Sequence, residues 1–189
     1  MMMTSGSDAP DLWVFGYGSL IWRPGFPFEE SVGARLHGYH RALCVFSHVH
    51  RGTPERPGLV LGLDRGGICR GLAFRVAAVN ADETIAYLRA REQATSVYLE
   101  RNLQVRLEDG RQVAALVYVA DRRHLQYAGR LPPETVLDLV RHGRGSSGEN
   151  PDYVLRTQEH LRKMGIFDPV LAELAQKLAP GLGEPHPHL

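Results

Sequence analysis

The chain has 189 residues, and its 22 lysines and arginines nearly balance its 21 aspartates and glutamates, giving a net charge of +1. Because no basic block is interleaved with aromatic residues, the composition argues against nucleic-acid and membrane-surface partners and favours a small-molecule partner. No apolar run reaches the ~18 residues of a membrane span and no signal peptide is evident, so we expect a cytoplasmic protein.

The length fits one domain. We expect a disordered polar leader over residues 1–11, a single domain over 12–179 and a frayed tail over 180–189. Two cysteines, Cys44 and Cys69, lie in strand-like runs. Two are too few for a disulfide framework, so we expect buried reduced thiols.

The first half of the chain is rich in strand signals. An apolar, β-prone run predicts a strand over Leu12–Tyr17. The loop Arg23–Pro27 follows, since two prolines and a glycine in five residues exclude a helix or a central strand. Alternation over Ser31–Ser47 predicts two short strands, with a bend at Gly38. The polar segment Arg51–Gly58, twice interrupted by proline, is predicted to be a second loop.

Two pairs of strand-like runs are each joined by a glycine-containing turn, which is typical of a β-hairpin. The pairs are Leu59–Leu63 with Ile68–Val76, and Tyr98–Leu107 with Gln112–Ala120. The turns read Asp-Arg-Gly-Gly (64–67) and Glu-Asp-Gly-Arg (108–111). The sheet is therefore predicted to be made largely of hairpins, and so to be largely antiparallel.

Helix signals lie in the middle and in the last third of the chain. Asn80 as N-cap, with Glu83 three residues later, predicts a helix over Ala81–Glu92. Three further helices are predicted: one after Pro132-Pro133, one capped by Asn150 with Pro151, and one starting at Pro169. Because the helices do not alternate with the strands, the fold class is α+β.

The glycine-containing stretch after the first strand reads Gly16-Tyr17-Gly18-Ser19-Leu20-Ile21. Its amides, those of Gly18, Ser19 and Leu20, could converge on an anion or a polarised carbonyl. The alternative is a strand that ends in a glycine bulge without a ligand. No helix is expected to open in this loop, and the glycine spacing does not fit a dinucleotide-binding fingerprint.

Glu92 is the last residue of the predicted central helix. The negative end of the helix dipole disfavours a carboxylate there and raises its pKa, which suits a general acid and base near neutrality. The alternative is a solvated carboxylate paired with Arg89 or Arg91.

Other candidates for a site are weaker. Tyr153 follows a Gly-Ser loop on the first turn of a predicted helix, where it lines a pocket unless the loop is a mere linker. Arg51 and Arg56 are the nearest candidates for holding a carboxylate.

Two other kinds of site have less support. A serine hydrolase built on Ser19 lacks the expected following glycine and helix. His48 and His50 alternate onto one strand face, but no third metal ligand is placed by spacing.

In combination and in order, four stretches give a family resemblance: Gly16 to Trp22, the Arg51-Gly52-Thr53-Pro54-Glu55 loop with Pro57-Gly58, Arg91-Glu92, and Ser147 to Asn150 before Tyr153. The chain resembles the ChaC-like γ-glutamylcyclotransferases from Trp13 to about Leu178. The resemblance implies a γ-glutamylcyclotransferase-like fold, with a mixed sheet or small barrel, and cleavage of glutathione to 5-oxoproline and cysteinylglycine without a cofactor or metal. It implies Glu92 as the acid/base. The residues it implies for binding are Gly16, Tyr17, Gly18, Ser19, Leu20 and Ile21 for the γ-glutamyl group and, less directly, Arg51 and Tyr153.

The chemistry supports this expectation. A γ-glutamyl amide carries its own nucleophile, because its α-amine can reach the γ-carbonyl and close a five-membered lactam. Ser19 is therefore expected to act through its backbone, while the loop amides bind either the oxyanion or the α-carboxylate. The alternative function is a non-catalytic regulatory module that senses a γ-glutamyl ligand.

Overall fold

A computed structural model of the chain describes residues 9–94 and 96–179. They divide into two compact units: the first contains the described residues up to Phe46 together with Val60–Arg130, and the second contains Ser47–Leu59 and the described residues from Leu131 onward. The single-domain expectation stays a prediction. Residues 1–8 of the expected leader and the whole expected tail, 180–189, lie outside the described residues.

The first unit is organised around a closed five-stranded barrel in the order β1-β3-β2-β4-β5. The strands are β1 (Leu12–Gly16), β2 (Glu30–Ser47), β3 (Gly58–Val76), β4 (Tyr98–Leu107) and β5 (Gln112–Ala120). Strand β1 runs antiparallel to β3 and parallel to β5. The barrel is thus a mixed sheet with flanking helices, and the predicted fold class is confirmed.

The hairpin between β4 and β5 has the predicted bounds. Its strands pair antiparallel from Tyr98↔Ala120 to Arg106↔Gln112. Gly110 takes φ +93° in the turn, a left-handed conformation that glycine adopts without steric strain. The Asp-Gly pair is therefore a sufficient local signal for this turn.

The hairpin predicted at residues 64–67 is wrong, because β3 continues through them as one strand. Gly66 and Gly67 have φ values of +99° and +72°, so they bend the strand without reversing it, much as glycine does in a β-bulge. The two short strands predicted over Ser31–Ser47 are likewise one strand, β2, which contains Gly38 at φ +87°. His40 Nδ1 lies 3.0 Å from the Gly66 carbonyl oxygen, so the bent parts of β2 and β3 meet.

Two helices belong to the first unit: α1 (Ser19–Trp22), and α2 (Ala81–Glu92) after a 3₁₀ turn at Ala78–Asn80. The bounds predicted for α2 are confirmed. Asn80 holds the N-cap position, yet within the described residues its side chain makes no capping hydrogen bond. Both helices contribute to one buried apolar cluster, which comprises Val14, Leu20, Phe26, Phe74, Val76, Leu88, Leu116 and Tyr118.

The second unit is mainly helical. It contains α3 (Pro133–His142), the short hairpin of β6 (Arg144–Gly145) and β7 (Gly148–Glu149), α4 (Asn150–Lys163) and α5 (Pro169–Leu178). The three predicted helices are confirmed, although the β6–β7 hairpin was not expected. Every helix among the described residues is too short or too polar to cross a membrane.

Asn150 has a different role from the predicted N-cap. It is the first residue of α4 and is fully buried, and Glu149 holds the cap position. The Asn150 side-chain amide pairs with the backbone of Leu59: Leu59 N–H donates to Oδ1 at 2.7 Å, and Nδ2 donates to Leu59 O at 2.9 Å. One side chain therefore satisfies both backbone polar groups of a buried residue, Leu59, which water cannot reach.

Asn150→Ala should destabilise the protein by about 2–4 kcal/mol, because it leaves a buried N–H and a buried C=O without partners. Urea unfolding of the full chain measures this change. Asn102→Ala, which truncates an exposed asparagine on β4, is the control and should change the free energy of unfolding by about 0.5 kcal/mol or less. Equal losses in the two variants would contradict the assigned role of Asn150.

Candidate functional site

The glycine loop, Gly16–Ile21, leaves β1 and turns into α1. Helix α1 starts at Ser19 with Ile21 N–H donating to Gly18 O at 3.0 Å, so the expectation that no helix opens here is wrong. A Cβ on Gly16 would lie 3.1 Å from the Leu20 Cβ and 3.2 Å from the Phe74 ring. The φ of Gly16 is not positive, so the effect of this glycine is to let the loop pack closely on Leu20 and Phe74.

Two arginines hold this loop. Arg41 Nε, from β2, donates to Tyr17 O at 2.6 Å. Arg91 Nη2, from the end of α2, donates to Ser19 Oγ at 2.9 Å. A guanidinium stays protonated and cannot act as a base, so the contact at Ser19 does not resemble that of an activated serine nucleophile.

Glu92 ends α2 and is largely buried. Its side chain is 16% exposed, and its Oε1 lies 3.3 Å from Arg91 Nε. The alternative of a solvated carboxylate is wrong, although the pairing with Arg91 is present. Burial raises the pKa of Glu92, while the positive charge of Arg91 acts in the opposite direction. Such a carboxylate is a better proton acceptor near neutrality than a solvated one.

A second carboxylate nearby has the opposite environment. Both oxygens of Glu100, on β4, accept hydrogen bonds from Arg89 at 2.9 Å, and Oε2 also accepts one from the Tyr118 hydroxyl at 2.9 Å. The Arg89 guanidinium holds the pKa of Glu100 below its usual range. Arg89 is therefore engaged with Glu100, not with Glu92.

Arg51 and Tyr153 meet in the second unit. Arg51 is 8% exposed, its Nη1 donates to Glu149 O at 2.9 Å, and its Cζ lies 5.6 Å from the centre of the Tyr153 ring. The distance is within the range of a cation–π interaction. Arg56, in contrast, lies on an exposed turn closed by Thr53 N–H donating to Arg56 O. Of the two arginines, only Arg51 is built into a contact network.

The loop that carries Arg51 is tightly packed. A Cβ on Gly52 would lie 2.0 Å from Gly58 N, so only glycine allows this approach. The glycine in the Arg51-Gly52-Thr53-Pro54-Glu55 pattern thus has a structural reason in addition to the family resemblance.

The histidine pair does not have the predicted geometry. Strand β2 ends at Ser47, so His48 and His50 do not alternate on a strand. His50 Nδ1 lies 2.9 Å from Ser147 Oγ. Within residues 9–94 and 96–179, no group of three or more His, Cys, Asp or Glu side chains is arranged to hold a metal ion.

The sequence-predicted residues therefore fall into two sets. In the first unit, Arg91 connects the glycine loop to Glu92. In the second unit, Arg51 contacts Tyr153. Sequence reasoning missed the roles of Arg41, Arg91 and Tyr118; of these, only Arg91 carried a signal, because it precedes Glu92 in the family-like pair.

The fold of this chain can be compared with those of solved structures. A solved structure titled as a γ-glutamyl cyclotransferase specific to glutathione from yeast superposes with a TM-score of 0.82 at 22% identity, covering 90% of this chain and 96% of that one. The fold is therefore that of the γ-glutamylcyclotransferases.

Sequence comparison gives the family. The family model described as ChaC-like protein matches residues 12–179. A glutathione-specific γ-glutamylcyclotransferase of Escherichia coli K12 is 35% identical over 95% of this chain and 78% of its own length. A human protein named glutathione-specific γ-glutamylcyclotransferase 1 is 33% identical over 84% of this chain and 73% of its own. The chain belongs to the ChaC-like family, and the predicted resemblance is confirmed.

Burial of Glu92 predicts a pH-dependent effect on stability. Because its pKa is raised in the folded state, the wild type loses stability as the pH rises from 4.5 through the folded-state pKa. Glu92→Gln removes this loss. The free energy of unfolding of the variant, relative to wild type, should therefore increase between about pH 4 and about pH 8 in urea titrations.

Glu83→Gln provides the control, because Glu83 is an exposed carboxylate in the first turn of the same helix. The free energy of unfolding of Glu83→Gln, relative to wild type, should not increase in this way. A relative stability of Glu92→Gln that fell with rising pH would contradict the assigned environment of Glu92.

Proposed function

We propose that this chain is a glutathione-specific γ-glutamylcyclotransferase that converts glutathione to 5-oxoproline and cysteinylglycine. The observation that carries the proposal is the 35% identity, over 95% of this chain, with the Escherichia coli protein of that name. The buried glutamate at the end of α2, joined to the glycine loop through Arg91, supplies groups suited to the reaction.

The reaction is an intramolecular exchange of amides. The α-nitrogen of the γ-glutamyl group forms a bond to the γ-carbonyl carbon, and the bond from that carbon to the cysteinyl nitrogen breaks. Protons lost by the α-ammonium are balanced by those gained by the departing amine. No water is consumed and no electron is transferred, so the chemistry requires no cofactor.

Glu92 is the proposed proton carrier. Its carboxylate accepts a proton from the attacking α-amine and returns one to the cysteinyl nitrogen as it leaves. A group that must both accept and donate a proton works best with a pKa close to the working pH. Burial raises the pKa of Glu92 in that direction.

The glycine loop is the proposed binding site of the γ-glutamyl group. Arg41 and Arg91 fix its backbone and the Ser19 hydroxyl, so the loop is preorganised before the substrate arrives. Arg51 and Tyr153 are proposed substrate-binding residues, with Arg51 holding the distal glycine carboxylate. A guanidinium matches a carboxylate in charge and geometry.

Location and partners follow from the same chemistry. Cys44 and Cys69 are both buried and neither is in a disulfide, which suits the cytoplasm, a compartment that glutathione keeps reducing. A net charge of +1 gives no support for a nucleic-acid partner.

Glu92→Gln should reduce the rate of 5-oxoproline release from glutathione by at least ~10²-fold, because general acid–base catalysis typically contributes ~10²–10⁴-fold. The glutamine keeps the size of the side chain but cannot carry the proton. Rates are measured by quantifying 5-oxoproline with the purified protein. Glu83→Gln, on the exposed first turn of α2, should keep the wild-type rate.

Two outcomes would contradict this assignment. A Glu92→Gln rate within about threefold of wild type would exclude Glu92 as the proton carrier. Binding of glutathione without any product release by the wild type would instead favour the non-catalytic ligand-sensing module.

Arg51→Lys should raise KM for glutathione by about tenfold and change KM for γ-glutamylalanine much less, because lysine keeps the charge but loses the guanidinium fork. γ-Glutamylalanine lacks the distal glycine carboxylate. Arg56→Lys, on the exposed turn, is the matched control and should preserve both constants. If Arg51→Lys kept the wild-type preference between the two substrates, Arg51 would not be the residue that binds the distal glycine carboxylate.

A further inference from the structure

Arg91, near the end of α2, makes polar contacts with Glu92 and with the segment from Ser19 to Pro24. Its Nε lies 3.3 Å from Glu92 Oε1, and its Nη2 donates to Ser19 Oγ at 2.9 Å. Its Nη1 donates to the carbonyl oxygens of Arg23 and Pro24, which follow α1. All three guanidinium nitrogens are thus engaged, and the side chain is only 18% exposed.

The neighbouring residues reinforce this geometry. Arg91 Nη1 also donates to the Tyr87 hydroxyl at 3.0 Å, one turn earlier on α2. That hydroxyl lies against Gly25, where a Cβ would be 2.1 Å from it and where φ is +77°. The positive φ favours glycine at this point, and the absence of a Cβ leaves room for the Tyr87 hydroxyl. The loop after α1 is shaped to receive the end of α2.

We propose that Arg91 is a positioning residue for lactam formation: it fixes the Ser19 end of the glycine loop relative to the Glu92 carboxylate. The inference rests on the proposed function and adds a residue to it. If the loop holds the γ-glutamyl group and Glu92 moves the proton, the planar Arg91 guanidinium is the group that contacts both the loop and the carboxylate. Misplacement of reacting groups by 1 Å can cost ~10²-fold in rate.

Charge is the second consequence of this position. The charged group that acts on Glu92 is Arg91 on its own helix. Tyr118 on β5 feels the charge of Glu92, and its hydroxyl donates to Glu100 on β4. Glu100 is in turn paired with Arg89 through both oxygens. Arg91 is thus the cation in direct contact with Glu92, and it opposes the effect of burial on the Glu92 pKa.

The test compares Arg91→Gln and Arg91→Lys with Arg123→Gln. The last variant removes the same charge from a side chain that is 90% exposed. For each variant, kcat and KM for glutathione are measured across pH, and Tm is recorded. The substrate amine titrates identically in all assays, so differences between the variants in the acid limb belong to the enzyme.

Arg91→Gln should lower kcat by ~10–10²-fold with a smaller change in KM, and should move the acid limb of kcat/KM to higher pH, because Glu92 loses its cation. Arg91→Lys should restore the position of the acid limb but not the full kcat, since an ammonium keeps the charge without the planar fork. Arg123→Gln should match wild type in both respects.

A double-variant cycle tests the path through Ser19. If Arg91 acts partly by holding the Ser19 hydroxyl, the loss in kcat for Arg91→Gln with Ser19→Ala should be smaller than the product of the two single losses. Independent, fully multiplicative losses would show that the contact with Ser19 does not contribute.

The outcomes separate this inference from the proposed function. A wild type that releases no 5-oxoproline overturns the function itself. An active wild type whose Arg91→Gln variant keeps both kcat and the acid limb overturns the inference alone. If Arg91→Gln does not fold, Arg91→Lys decides: wild-type kcat in that variant excludes a requirement for the guanidinium geometry.

Discussion

The burial of one carboxylate, that of Glu92, is the constraint on which the site depends. A buried carboxylate needs a charged or hydrogen-bonding partner, or it becomes protonated. The cation in contact with it is the preceding residue, Arg91, yet neighbouring residues on a helix do not face each other. The guanidinium must therefore be held in place by other groups, and the loop after β1 supplies them at Ser19, Arg23 and Pro24.

The barrel core explains why the glycine loop and the end of α2 lie close together. Leu20 of α1 and Leu88 of α2 belong to the same buried cluster, together with Phe74 of β3. Packing of this cluster fixes the two helices relative to the strands. The hydrogen bonds of Arg41 and Arg91 then define the loop backbone within that frame. Site geometry is thus a consequence of apolar packing refined by two arginines.

The sequence predicted the elements whose signals are local. The β4–β5 hairpin and helix α2 have the expected bounds because a turn pair and a helical period are read from adjacent residues. Prediction failed where the partner of a residue is distant in the sequence, and where a glycine pair can either form a hairpin turn or bend a continuous strand. Asn150 contacts a backbone 91 residues away, and Gly66-Gly67 bends a strand that the barrel keeps paired. The family motif found Glu92, but no sequence pattern showed that Arg91 joins it to Ser19.

The two glutamates near the end of α2 show why residue type alone does not assign a role. Glu100 accepts three hydrogen bonds from Arg89 and Tyr118, so its charged form is stabilised and it is a weak base. Glu92 is buried, and among the described residues the cation paired with it is Arg91; burial outweighs this charge, so the charged form is disfavoured and Glu92 binds a proton more readily. Burial, followed by the hydrogen bond to Glu100, raises the pKa of Tyr118, which keeps this hydroxyl protonated as a donor to Glu100. Carboxylates with opposite environments are a recurring feature of acid–base sites, and the environment of Glu92 supports its proposed role as proton carrier on grounds other than the family motif.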